Sequence, residues 1–162
     1  MEPEVHIIDK YFQMVKGCST MTNIRCEDNK EIDLLAVNPR TREKFHVESR
    51  IATSRGSYLT LNGQKRGLDY FGKEKFDHPS ILKKIREIFG DTNYHKILVI
   101  WSYVGDYVEY YAEKDYGIEI MFITCIIDEL KASIKKRGSR DDIIRLIELI
   151  TDVEEIGTTS KA

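Results

Sequence analysis

Asp33 and Glu48 are the residues best placed to do chemistry. Each is a carboxylate inside an otherwise apolar, strand-forming stretch: residues 31–37 read EIDLLAV and residues 45–52 read FHVESRIA. Side chains alternate along a strand, so His46, Glu48 and Arg50 share one face, while Phe45, Val47 and Ile51 take the other. Between the stretches, Asn38-Pro39-Arg40-Thr41 has turn chemistry, which predicts a β-hairpin. If the hairpin turns about the Arg40–Thr41 bond, Asp33 faces Glu48. If it turns about Pro39–Arg40, Asp33 faces His46, with Glu48 on the diagonal. Both registers bring the carboxylates onto one face, within roughly 4.5–8 Å at their β-carbons. Like charges at that range repel, more strongly among apolar neighbours. An ion pair with Arg50 could offset this, as could a shared divalent cation, for which oxygen ligands favour magnesium or manganese.

The surrounding pattern supplies a frame for this hairpin. Pro3, with Glu2 and Glu4, suits the first turn of a helix whose apolar positions Val5, Ile8, Phe12 and Val15 recur until Gly17. A weak strand at 20–26 precedes the hairpin. Residues 53–67 read as a loop, 68–76 as a short helix, and 79–89 as a helix opened by Pro79 and closed by Gly90. Residues 96–102, KILVIWS, are continuously apolar, as in a strand covered on both faces. A helix at 106–114, a strand at 118–123, helices at 126–137 and 141–151, and a frayed end complete the chain. An early antiparallel hairpin joined to later strands through helices predicts an α/β fold with a mixed central sheet flanked by helices. The length of 162 residues predicts a single domain over 1–162.

Composition narrows the function classes. The net charge is −2, yet residues 38–75 hold nine basic against four acidic side chains, a basic segment in an acidic chain and a place to meet a polyanion. Within it, Arg55, Lys65, Arg66, Lys73 and Lys75 are candidate phosphate contacts, with Gly56, Gly63 and Gly67 giving room for close approach. No apolar run approaches the ~18 residues of a membrane span, and the start MEPEVHIIDK predicts no secretory signal. Three cysteines without a C-x-x-C pair argue against a disulfide framework and for a reducing cytoplasm. No Gly-rich phosphate motif marks an NTPase. Tyr103, Tyr107, Tyr110 and Tyr111 sit at near-helical spacing and point to core or interface. The apolar arc of Ile143, Ile144, Leu146, Ile147, Leu149 and Ile150 either caps the sheet or makes a homodimer contact.

The hairpin with Asp33 on one strand and Glu48-Ser49-Arg50 on the next resembles the PD-(D/E)XK nuclease superfamily, with its restriction-endonuclease-like fold. The later order, including Tyr116-Gly-Ile-Glu119 before a core strand, is similar to archaeal Holliday-junction-resolvase and Mrr-like relatives. The resemblance covers residues 1–130, leaving 131–162 as C-terminal helices. It implies a three-layer core of αβββαβ-type order and a metal-dependent DNA endonuclease. Asp33, Glu48 and Arg50 would be catalytic, with a helix-one acid for which Glu4 is the nearest candidate and Asp9 the next. Mg2+ or Mn2+ would be held by Asp33, Glu48 and the carbonyl of Ser49. Two departures stand out: Ile32 precedes Asp33 where the motif has proline, and Arg50 replaces the motif lysine. Arginine supplies charge and donors but no base, which weakens the expected activity. The alternatives are a catalytically inactive nucleic-acid-binding protein and a homodimeric assembly protein on the same fold.

Overall fold

The computed structural model describes residues 2–51, 59–60, 67–103, 107–134 and 140–159, the side chains of 152–159 excepted. Five strands form one sheet in the order β1-β2-β3-β4-β5: β1 Ser19–Arg25, β2 Glu31–Val37, β3 Lys44–Arg50, β4 His95–Ile100 and β5 Ile118–Phe122. The first three pair antiparallel, and β3-β4 and β4-β5 pair parallel, so the sheet is mixed as expected. The hairpin adopts the register centred on Arg40–Thr41, running from Leu34 opposite Val47 to Val37 opposite Lys44. Asn38 sets that turn: its side-chain oxygen accepts from the N–H groups of Arg40 and Thr41 at 2.9 and 3.2 Å.

Helices cover both faces. Helix α1 (Pro3–Met14), α5 (Ile123–Ser133) and α6 (Asp142–Thr159) join Leu34, Ala36, Val47, Ile97 and Val99 on one face, through Ile8, Phe12, Ile126, Leu130 and Ile147. On the other face lie α2 (Leu68–Tyr70), a π-helical turn over Phe71–Phe76, and α4 (Val108–Tyr116), around Leu98, Ile100 and Ile118. Helix α3 (Pro79–Phe89) packs Ile81 and Ile85 against Ile32 and Leu35. Strand β4 lies inside the sheet between β3 and β5, and Leu98, Val99 and Ile100 are wholly buried, which is why that segment reads as apolar without alternation.

Three local expectations change. Residues 68–76 are not one α-helix: the backbone widens after Tyr70 into the π turn, with Asp77 N–H donating to the Gly72 carbonyl at 2.9 Å. Helix α5 begins at Ile123, directly off β5, and α6 runs to Thr159, past the expected end at 151 and into the stretch 156–162 expected to fray. In α6, Ile144 and Ile147 are buried while Leu146, Leu149 and Ile150 face outward. Among the described residues, no helix is long and apolar enough to cross a membrane.

Candidate active site between the diverging strands

Strands β2 and β3 stop pairing at Leu34–Val47, just before the two carboxylates. Beyond that point Glu31 and Ile32 are held by β1, and 48–50 by β4, so the strands part like the arms of a wedge. The distortion shows in β1 as well, where Asn23 adopts φ 51° between the paired residues Thr22 and Ile24. Ile32 packs with Leu35 on one face while Leu34 joins the other, so the alternation of β2 breaks at Asp33. The Asp33 side chain replaces the missing ladder: its Oδ2 accepts from the Ser49 N–H at 2.8 Å and from the Ser49 hydroxyl at 2.9 Å. The divergence opens a cleft of about 680 Å3, lined by Asp33, Ser49 and Lys75 with Glu2, Glu31, Asn23 and Arg25 around them.

Glu48, next to Ser49 in β3, is fully buried, and the cleft is lined by its neighbours Asp33, Ser49 and Lys75. The Glu48 Oε1 lies 2.8 Å from His46 Nε2; an ionised Glu48 can only accept, which requires the neutral ring to carry its proton on Nε2. Its Oε2 lies 2.8 Å from Lys75 Nζ, an ion pair in which Oε2 is not aligned for a hydrogen bond. The same ammonium is 3.8 Å from Asp33 Oδ1. One lysine therefore bridges both carboxylates. Burial pushes the Glu48 carboxyl up to about 7, against the pull of the Lys75 charge. Asp33 is also raised, by burial first and then by the Glu48 charge, while Lys75 and the Ser49 hydrogen bonds draw it back. Burial alone would lower Lys75, but Glu48 and Asp33 outweigh it, so Lys75 is raised and stays charged. Burial drops His46 to about 3, which keeps the ring neutral.

The π turn is what delivers Lys75. Phe71, Gly72 and Phe76 are buried, and the widened turn leaves Lys73 exposed and directs Lys75 inward. A side chain at Gly72 would meet the Tyr116 ring at 2.2 Å, so only glycine permits this close seat. Lys30–Glu74 at 2.7 Å and Lys75 Nζ donating to the Glu31 carbonyl at 3.2 Å strap the turn to the start of β2. Phe76 packs on His46, ring centroids 4.7 Å apart.

Of the residues the sequence singles out, Asp33, Glu48, Ser49 and Lys75 come together. Arg50 is half-buried at the end of β3, its Cα partnered with Ile100. Lys75, expected as a phosphate contact, sits between the carboxylates, where the sequence offered Arg50 as one possible ion-pair partner. Glu4 is half-buried in the first turn of α1 beside Glu2, and it is Glu2 that lines the cleft. Asp9 turns away, accepting from Gln13 and Thr20. Arg55, Lys65 and Arg66 lie outside the described residues. Two signals for Lys75 were present: the spacing of Phe71 and Phe76, five apart as in a π turn, and the need of two buried carboxylates for a counter-charge. Neither says which lysine answers.

The donor set fits a hard divalent cation in part. Asp33 Oδ1 and Glu48 Oε2 are carboxylate oxygens facing one point, and Glu48 Oε2 is buried without a hydrogen bond. Among the described residues, no group of three or more His, Cys, Asp or Glu side chains is arranged around a metal position. A cation here would displace or share with Lys75. No protein-family model matches the chain, and neither the curated proteins nor the solved structures contain a significant match.

Proposed function

We propose that the protein is a metal-dependent DNA endonuclease with a restriction-endonuclease-like core. The observation that carries this reading is that Lys75 bridges Asp33 and the fully buried Glu48, with Asp33 and Lys75 themselves lining an open cleft where two strands of a mixed sheet diverge. Asp33 and Glu48 would hold Mg2+ or Mn2+, with the Ser49 carbonyl beside them. When bound, the metal acidifies water and offsets charge on the phosphoryl group. Ser49 fixes the Asp33 carboxylate through two hydrogen bonds, and His46 fixes Glu48 through one. Lys75 supplies a permanent positive charge toward the attacking water or a phosphoryl oxygen. Its raised pKa excludes it as the base near neutrality. Arg50, at the end of β3, contacts the phosphate further out. On this reading the lost motif lysine is replaced from another element, and activity survives the arginine.

The exposed Leu146, Leu149 and Ile150 of α6 support a homodimer contact, and three unpaired cysteines support a reducing, cytoplasmic setting. To test the activity, supercoiled, linear and branched DNA are incubated with the protein in Mg2+ or Mn2+. Nicking that disappears in the Asp33→Ala, Glu48→Ala double variant is expected. No nicking of any substrate, with salt-sensitive DNA retention intact, would leave the inactive binding protein as the better reading.

A further inference from the structure

The two outer strands of the sheet are finished differently. Strand β1 is interrupted at Asn23, whose φ of 51° between the paired Thr22 and Ile24 breaks the run of main-chain groups. Strand β5 has no such break: Ile118–Phe122 pairs with Lys96–Ile100 of β4 without a skipped residue, and no positive φ falls within it. About half of the N–H and C=O groups of a paired strand face its partner, and the rest face away. Those of β5 that face away meet no main-chain partner among the described residues. A groove of about 500 Å3 follows this edge, lined by Gly117, Ile118 and Ile120 with Glu109, Glu113 and Glu119.

The groove straddles the edge. Ile118, Ile120 and Phe122 pack on the α4 side of the sheet and Met121 on the α1–α5 side, so Glu119 points to the latter. Glu109 and Glu113 stand on the α4 side, a like-charge pair one turn apart that weakens its own helix. All three carboxylates are exposed, and among the described residues none has an ion-pair partner. The cations nearby are engaged elsewhere. Lys114 sits 5.3 Å and 5.9 Å from the Tyr110 and Tyr111 rings, Lys16 lies 5.5 Å from the Tyr11 ring, and Lys96 pairs with Asp77 at 2.6 Å. Exposed Asp115 on α4 adds negative charge, as does Glu129 of α5, which accepts from the Tyr11 hydroxyl at 3.1 Å. The edge is therefore regular, open and net acidic.

We propose that β5 is a docking edge for an extended, lysine- or arginine-bearing peptide of a partner protein, which adds to the sheet as a further strand. Main-chain hydrogen bonds to the open edge supply affinity, and the glutamates supply selectivity. Side chains of an added strand alternate between faces, so one set meets Glu109 and Glu113 and the other meets Glu119. A basic residue on either face gains a carboxylate that has no other cation. A second copy pairing through its own β5 would set these glutamates against one another, and an acidic partner would be repelled in the same way. Strands β3 and β4 separate this edge from β2 and Asp33, so docking here is independent of the nuclease reading.

The test is fluorescence anisotropy of labelled peptides titrated with the full-length protein at physiological salt. One peptide alternates four lysines with valines. A second keeps four lysines around a central Pro-Pro, which removes N–H groups from both of its edges. A third alternates glutamate with valine. The first should bind, the second about tenfold more weakly or worse, and the third not at all. The Glu109→Lys, Glu113→Lys double variant and Glu119→Lys should each weaken the first peptide about tenfold or more, with unchanged circular dichroism. Should a lysine variant fail to fold, the matching glutamine variant should show a smaller loss in the same direction. No binding of the first peptide would overturn the proposal. Equal binding of the two basic peptides would also overturn it, leaving only diffuse attraction between charges. A dimer dispersed by Glu119→Lys in analytical ultracentrifugation would overturn it as well and assign the edge to a second copy.

Discussion

On one face of β3, Val47 is sealed among Phe12, Leu34 and Ile97, and Phe45 tilts against Phe12 with centroids 5.4 Å apart. On the other, His46 and Glu48 are buried just as deeply, yet their contacts are an imidazole, a carboxylate and an ammonium. The two faces belong to the same seven residues. The apolar face is stabilised by what it hides from water. The polar face gains little from burial, because each ion loses its hydration and recovers it only from imperfectly aligned partners. A buried carboxylate raised to about 7 beside a neutral histidine and one bridging lysine is a poor way to stabilise a sheet. It is a reasonable way to hold charge ready for a phosphoryl group.

The contrast can be broken most sharply at Glu48. Glu48→Gln keeps the shape and a donor or acceptor for His46 but removes the charge. Nicking should fall about a thousandfold or more, while urea unfolding shows equal or higher stability at neutral pH, because Lys75 is only half-buried and can turn to water. A variant that lost activity and several kcal/mol together would place Glu48 in the structural scaffold instead.

The pH dependence of stability sharpens the same point. Glu48 rises from 4.5 to about 7 on folding, so its contribution is full below pH 4.5 and is lost as pH rises through 7. That loss is on the order of 3 kcal/mol. His46 falls from 6.5 to about 3, so its contribution is full above 6.5 and is lost as pH falls toward 3. Together they predict maximum stability between about pH 4.5 and 6.5. Urea titrations across pH should show this maximum, and Glu48→Gln should remove the decline on its alkaline side. A smallest effect is expected on the apolar face. Val47→Ala should cost about 2 kcal/mol in urea unfolding and leave nicking by the folded protein within about twofold.

Much of this was legible in the sequence, and the reasons differ by element. The hairpin was readable because Asn38-Pro39 sets a local turn and the apolar alternation of 45–51 fixes which side chains share a face. Strand β4 was readable because burial on both faces leaves no polar positions. The wedge at Asp33 was not, since a side-chain oxygen replacing a backbone carbonyl leaves no mark on periodicity. Nor was Lys75, 27 positions beyond Glu48 and presented by a π turn that depends on Gly72 lying under the Tyr116 ring. Arg50 drew attention because it stands in the motif, and the ion pair that forms is long-range. The tyrosines were legible only as core or interface, because helical spacing shows that residues share a face but not which way it turns: Tyr103 packs on the core, and Tyr107, Tyr110 and Tyr111 are exposed.

On the nuclease reading, Lys75 and not Arg50 is the cation that completes the carboxylate site. It is tested most directly by plasmid nicking in Mg2+ with two variants alongside the parent. Lys75→Met should reduce the rate at least a hundredfold, and Arg50→Lys should stay within a few-fold of the parent. A Lys75→Met protein that cuts normally, beside an Arg50→Lys protein transformed in rate, would contradict the account.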